Sequence, residues 1–248
     1  MKHRNIKIDG FLSNFINCFW EHDNIQKEVE FTILPDGYFD LIFEIRNNEI
    51  LNISLTGIWT NQINVRIKEN TKLIGIQFKL IASEYIFKES IKNILNSETI
   101  LPTDFWGAKK LPFDNLEKFT DTLTKTIHYG LKNLKEIDNR KFKLFNSLYG
   151  QKGNISVKEL SETVSWSSRQ INRYFNQQFG FSLKTFLNIL KCKSSYGDIA
   201  KGKLSPTQDY YDQAHYIKEI KRYTGNTPKE LYKNENDRFL QLLTLGEK

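Results

Sequence analysis

The chain has 248 residues, 39% of them hydrophobic and 13% aromatic, with a formal net charge of +7 and two cysteines. That much apolar material argues against disorder and fills one large core or two small ones. Cys18 and Cys192 form no CxxC pattern, so neither a disulfide framework nor a zinc cluster is indicated, and no run approaches the about 18 apolar residues of a membrane span.

The N-terminus MKHRNIKIDG is charged and has no apolar signal region behind it, so a soluble, cytoplasmic protein with no membrane partner is expected. Charge is divided unevenly. Residues 151–248 hold 16 Lys+Arg against 10 Asp+Glu, while residues 1–150 hold 20 against 19. A near-neutral first part joined to a basic second part predicts that only the second meets a polyanion, with a solubility surplus as the alternative.

The first third reads as β. FTILPDGYFDLIFEI places Pro35-Asp36-Gly37 as a turn between two apolar runs, and Asn47-Asn48 reads as a tight hairpin. Ile63, Val65, Ile67, then Leu73 or Ile74, Ile76 and Phe78 alternate with period two, as in half-buried antiparallel strands of a small barrel or sandwich. After Leu80, Tyr85, Ile86, Ser90 or Glu89, Ile91 and Leu95 fall at helical spacing, with Ser83 as the expected N-cap. LPTDFWGAKKLPFDNL reads as irregular, and NLEKFTDTLTKTIHYGLKNL as helix. A helical turn with Phe142, Phe145, Leu148 and Tyr149 then leads to a Gly-rich break near Gly150, where the boundary is expected. Everything after it reads as helical.

Ser156 with Glu159 forms an expected capping box ahead of the stripe Val157, Leu160, Val164. Ser165-Trp166 breaks that helix. Ser167 then caps a second helix over 168–179, which stops at Gly180. Two short helices joined by so short a turn predict a helix-turn-helix. Ile171, Tyr174, Phe175 and Phe179 share one face of the second helix and Arg169, Asn172, Arg173 and Asn176 the other, at i, i+3, i+4 and i+7. No acid occurs from Thr163 to Ser195. Arg forks onto guanine and Asn onto adenine in the major groove, while Ser167, Ser168 and the helix N-terminus suit a phosphate. A solvated polar face remains the alternative. Farther on, a helix from about 212 to 223 is expected to bury Tyr216, Ile220 and Tyr223 and end at Gly225. The pattern of helix, aromatic, Gly, then Ser or Thr makes the two segments a weak internal repeat.

The second segment carries a resemblance. It reads Asp209-Tyr210-Tyr211-Asp212-Gln213-Ala214-His215-Tyr216-Ile217-Lys218-Glu219-Ile220-Lys221-Arg222, then Gly225 and Thr227-Pro228. Together with Leu160, Ser167, Arg173, Phe175 and Gly180 it resembles the DNA-binding domain of AraC/XylS-type transcription regulators, over roughly Phe145 to Lys233. The resemblance implies an all-α domain with two helix-turn-helix units joined by a long helix, binding double-stranded DNA in sequence-specific fashion. Carried over, the base-reading positions are Arg169, Asn172 and Arg173 in the first unit and Gln213, Ala214 and Lys218 in the second, with Lys221 and Arg222 beside them. Two departures stand out. Only GKLSPTQ precedes the second recognition helix, where the family has a full helix, and position 209 is Asp where the family prefers Gly.

The pieces LPDGYFDLIF, TGIWT, IGIQFK and LPTDFWG resemble the sensor domain of one subgroup of the same family. The expected architecture is therefore α+β. A β-rich, cupin-like sensor or dimerisation domain with trailing helices occupies 1–149, and the DNA-binding domain occupies 150–248. RNA polymerase, an unidentified small-molecule effector and a second copy of the chain are the further partners implied, with no cofactor. Two rival classes are a non-specific nucleic-acid-binding or architectural protein and an enzyme. His3, His22, His128 and His215 are scattered in sequence, and no catalytic fingerprint appears. His215 reads as a packing or phosphate residue, and Cys18 as a packed thiol. Tyr38, Phe39, Trp59 and Trp106 are either core or the lining of a ligand pocket, with core favoured.

Overall fold

The computed structural model describes residues 2–23, 26–132, 137–206, 210–234 and 238–242. Its first part is antiparallel β. Strands β1 (Lys2–Lys7), β2 (Ile16–Asp23), β3 (Val29–Ile33), β4 (Phe39–Arg46), β5 (Glu49–Thr56), β6 (Ile63–Ile67), β7 (Thr71–Phe78) and β8 (Glu98–Leu101) make two sheets. The larger runs β1-β2-β7-β4-β5-β8, and the smaller pairs β3 with β6.

The hairpin at Asn47-Asn48 forms as expected. Both residues have positive φ, 50° and 62°, which a two-residue primed turn requires and Asn tolerates. Phe39, Leu41, Phe43 and Ile45 on β4 face inward with Ile74, Ile76 and Phe78 on β7, so the period-two reading holds. Gly75 sits beneath the indole of Trp20, where a Cβ would lie 2.2 Å from the ring. The indole N–H donates to Asp40 Oδ1 at 2.8 Å.

Helices α1 (Ile81–Tyr85) and α2 (Leu116–Lys132) follow. α2 covers the sheet with Leu116, Phe119, Leu123, Ile127 and Leu131, and Phe119 packs edge-on against Phe19 and Phe43. The helix expected from a Ser83 cap to Leu95 is not one helix. α1 starts at Ile81, so Ser83 is inside it, and its hydroxyl donates to the Leu80 carbonyl instead of capping. The backbone turns with Lys88 at φ 60°, and only a 3-10 turn, Lys92–Ile94, remains of the rest. The apolar spacing there serves contacts with a distant helix, described below. The irregular stretch before α2 follows β8 and contains the 3-10 turn Phe105–Lys110.

The rest is helical: α3 (Asn139–Gly150), α4 (Val157–Val164), α5 (Ser168–Phe179), α6 (Leu183–Ala200), α7 (Gln213–Thr224) and α8 (Pro228–Lys233). The core is continuous through both parts. Phe145 on α3 packs on Phe175 and Phe179 of α5, while Tyr149 stacks on Tyr38 of the β part and meets Phe186 of α6 edge-on. Among the described residues no helix is long and apolar enough to cross a membrane.

Candidate nucleic-acid interface

Local chemistry sets both ends of α4 and of α5. Ser156 and Glu159 form the capping box that starts α4. Ser165 takes the left-handed conformation at φ 53°, which ends α4 and turns the chain, and the Ser161 hydroxyl pins that turn by donating to the Trp166 carbonyl at 2.7 Å. Ser167 then caps α5. Its hydroxyl accepts from the Gln170 N–H, and the Gln170 side chain accepts in return from the Ser167 N–H, a second capping box. Gly180 ends the helix at φ 84°.

Ile171, Phe175 and Phe179 are buried under α5, each contributing roughly 1.5–3 kcal/mol. Tyr174 is half-buried and donates its hydroxyl to Glu84 Oε2 at 3.0 Å. On the opposite face Arg169, Arg173 and Asn176 are exposed, and among the described residues no carboxylate pairs with either arginine. Asn172 differs from its neighbours on that stripe. It is half-buried, donates to the Ser168 carbonyl at 3.1 Å and accepts from the Leu183 N–H at 3.3 Å, so it joins α5 to the start of α6. Asn176 donates to the Asn172 carbonyl. Ser168 is exposed, with its hydroxyl 3.4 Å from that of Ser161.

α7 is capped by Asp212, which accepts from the His215 N–H at 2.7 Å, and ends at Gly225 with φ 70°. Tyr216, Ile220 and Tyr223 are buried, as the spacing predicts. Ala214, Lys218 and Lys221 are exposed. Gln213 is also exposed but donates to the Leu204 carbonyl at 2.9 Å, which ties the helix start to the preceding connection. Arg222 pairs with Glu219 at 3.7 Å. Between α6 and α7 no helix occurs among the described residues, in keeping with the short GKLSPTQ. Asp209, the other departure from the family pattern, lies outside the described residues. Sequence reasoning passed over Tyr211, 92% exposed just before α7, and Ile217, 36% exposed between Ala214 and Lys218. Their apolar character on an otherwise polar face was the available signal.

Residues 9–99 match the family described as "Domain of unknown function (DUF6597)". No curated protein sequence matches the chain. Its structure is similar to that of ToxT from Vibrio cholerae, with 10% identity, TM-score 0.46, and coverage of 86% of this chain and 97% of that one. ToxT from Vibrio cholerae O395 gives 11% identity and TM-score 0.46, covering 86% and 96%. ToxT from the same strain bound to (E)-4-(8-methylnaphthalen-1-yl)but-3-enoic acid gives 10% and 0.41, covering 93% and 96%.

The β part touches the far end of each outward-facing helix. At the end of α5, the Ile91 N–H and the Ser90 hydroxyl donate to the Gln178 carbonyl, and Gln178 donates to the Glu89 carbonyl. Beyond α7, Asn226 donates to Gln62 at 3.1 Å. Helices α3 and α6 are held to the β part as well. Tyr196 donates to the Pro35 carbonyl at 2.8 Å, Tyr149 to the Gly37 carbonyl at 2.8 Å, and the Lys193 ammonium lies 4.1 Å over the Tyr38 ring. Burial raises the Asp36 carboxyl above its usual range, with Lys193 opposing. Burial, then Asp36 itself, pushes Asp40 up to about 8.

The other sequence candidates resolve as follows. Phe39 is fully buried and packs with Trp106 around Phe78 and Phe87, while Tyr38 faces Tyr149 and Lys193. Trp59 is half-buried. Burial pushes both thiols up to about 12, so neither is a thiolate near neutral pH. Two of the four histidines, far apart in sequence, do meet. His3 and His22 pair across β1 and β2 with their Nδ1 atoms 3.3 Å apart, and burial pushes His22 down to about 3. Among the described residues no third His, Cys, Asp or Glu joins any such group to hold a metal.

Proposed function

We propose that the chain is a sequence-specific transcription regulator of the AraC/XylS type, a binding protein and not a catalyst. Residues 150–248 bind double-stranded DNA, and residues 1–149 modulate that binding. The observation that carries the reading is the outward face of α5. A helix fixed at both ends by caps and from below by Ile171, Phe175 and Phe179 presents Arg169 and Arg173, which have no carboxylate partner among the described residues. Such arginines on a rigid helix after a helix-turn-helix corner suit bidentate contacts to guanine edges. Ser168 and Asn176 flank them, and Ser167 and Asn172 hold the helix in place.

α7 serves as the second, weaker reader through Ala214, Ile217 and Lys218, with Lys221 beside them; an apolar side chain there meets a thymine methyl. Gln213 holds the start of this helix. Modulation is supported by the contacts from Ser90, Glu89 and Ile91 to the end of α5 and from Gln62 to the residue after the α7 cap, since a change in the β part bears on both helices. A small-molecule effector, RNA polymerase and a second copy of the chain are the partners such a regulator uses.

The test is selection of bound duplexes from a random pool with the full chain, followed by titration of the selected and a scrambled duplex at physiological salt. The expected ratio of affinities is at least roughly 10³. A ratio near one replaces this reading with non-specific nucleic-acid binding.

A further inference from the structure

Between α6 and α7 lies a cleft of about 280 Å³, lined by Lys184, Asn188 and Lys191 from α6, by His215, Glu219 and Arg222 from α7, and by Tyr210. The three α6 residues stand at i, i+4 and i+7 and the three α7 residues at i, i+4 and i+7, so each helix contributes one straight stripe. Three cations against one carboxylate leave the cleft with a net charge of +2.

Glu219 does not cancel that charge where it counts. One of its oxygens faces Arg222 at 3.7 Å and the other accepts from Asn188 Nδ2 at 3.2 Å, so the carboxylate orients two donors. Among the described residues Lys184 and Lys191 have no carboxylate partner. His215 accepts from the Tyr211 N–H on Nδ1 at 3.4 Å, which leaves the ring proton on Nε2 and makes His215 another donor. A cleft lined mostly by cationic and N–H donors has the chemistry of a phosphate site.

Its position says which phosphate. Lys184 is the neighbour of Leu183, whose N–H is held by Asn172 on the outward stripe of α5, and the cleft's other wall is α7. The cleft therefore lies between α7 and the helix α6, whose first residue is tied to α5. We propose that it binds a phosphate of the DNA backbone running from α5 to α7, with Lys184 and Lys191 as the principal contacts. This rests on the DNA-binding reading above.

The experiment uses the full chain and the double variant K184Q/K191Q, with K118Q/K125Q on the exposed side of α2 as a charge-matched control. Affinity for the selected and the scrambled duplex is measured across a salt series, and inorganic pyrophosphate is titrated into the DNA-free protein by calorimetry. In K184Q/K191Q the slope of log affinity against log salt should fall by about 2, with both duplexes weakened alike, and the control should leave it unchanged. An unchanged slope in a variant that still binds DNA overturns the backbone assignment. If pyrophosphate binding is nevertheless lost in that variant, the cleft holds a free phosphate compound. If the wild-type chain binds no duplex, the regulator reading fails, and the pyrophosphate arm alone decides whether the cleft takes phosphate. No pyrophosphate binding there overturns the site.

Discussion

Helices α5 and α7 each span twelve residues and end at a left-handed glycine, and each hands over two residues later to an N-cap, Ser182 after Gly180 and Thr227 after Gly225. What precedes them differs. α5 follows a complete short helix and a turn pinned by Ser161, whereas α7 follows a connection without a helix among its described residues. The polar faces differ in the same sense. α5 presents two arginines with no carboxylate partner among the described residues, while α7 commits Gln213 to Leu204 and Arg222 to Glu219. Similar endings with dissimilar beginnings mean that one helix is aimed by packed structure, and the other by its own buried residues and a few hydrogen bonds.

The largest expected effect lies beneath α5. Phe175 is fully buried, with ring centroids 5.3 Å from Phe179, 5.6 Å from Phe186 and 6.1 Å from Phe145. Phe175→Ala should cost about 3–5 kcal/mol, through lost transfer energy and the cavity left behind. Urea unfolding of the full chain measures it. A loss under about 1 kcal/mol would mean that the site collapses easily and that packing is not what aims α5.

Next in size is the difference in DNA reading. Arg169→Ala and Arg173→Ala should each cost about 1–3 kcal/mol on the selected site and relax base preference at one position. Lys221→Ala, beside the readers of α7, should weaken all sequences alike, by less, and lower the salt slope by about 1. Titration of single-base variants of the selected site separates the two patterns. Equal, sequence-blind losses at all three residues would erase the proposed division of labour.

How much of this could be read from sequence depended on how local its cause is. The span 168–179 was legible to the residue because Ser167 and Gly180 act within one turn of the chain, and so was the Asn47-Asn48 hairpin. The stretch after Ser83 misled. Tyr85, Ile91 and Leu95 have helical spacing, but Ile91 is buried and bonded to Gln178, 87 residues away, and the chain turns at Lys88 to reach it. β1 was not singled out, because an edge strand with only His3 and Ile6 half-buried has no apolar alternation to read. At the interface, the pattern placed Arg169 and Arg173 correctly on the outer face but could not show Asn172 bonded to Leu183. That bond exists only once α6 folds back. The cleft between α6 and α7 was hidden for the same reason. Its stripes lie on separate helices, and Lys184 and Lys191 carry no motif.

The smallest effect probes the two beginnings directly. Ser167→Ala and Asp212→Ala each remove an N-cap acceptor, from the Gln170 N–H and the His215 N–H respectively, at a cost of about 1 kcal/mol. In α5 the loss falls on a helix whose start is held by the α4 corner and the buried Ile171, so opening should remain part of global unfolding. Among the described residues the start of α7 is held by the cap, Gln213, the Tyr211–His215 hydrogen bond and Tyr216, with no preceding helix, so the loss should appear as local fraying. Native-state hydrogen exchange distinguishes the two. Asp212→Ala should speed exchange about fivefold at the α7 amides 215–218 while leaving those of α5 nearly unchanged. Ser167→Ala should speed the slowest core amides of the whole chain together. If Asp212→Ala also accelerates the slowest amides of the chain together, α7 is as cooperatively anchored as α5, and the missing helix before it has no energetic consequence.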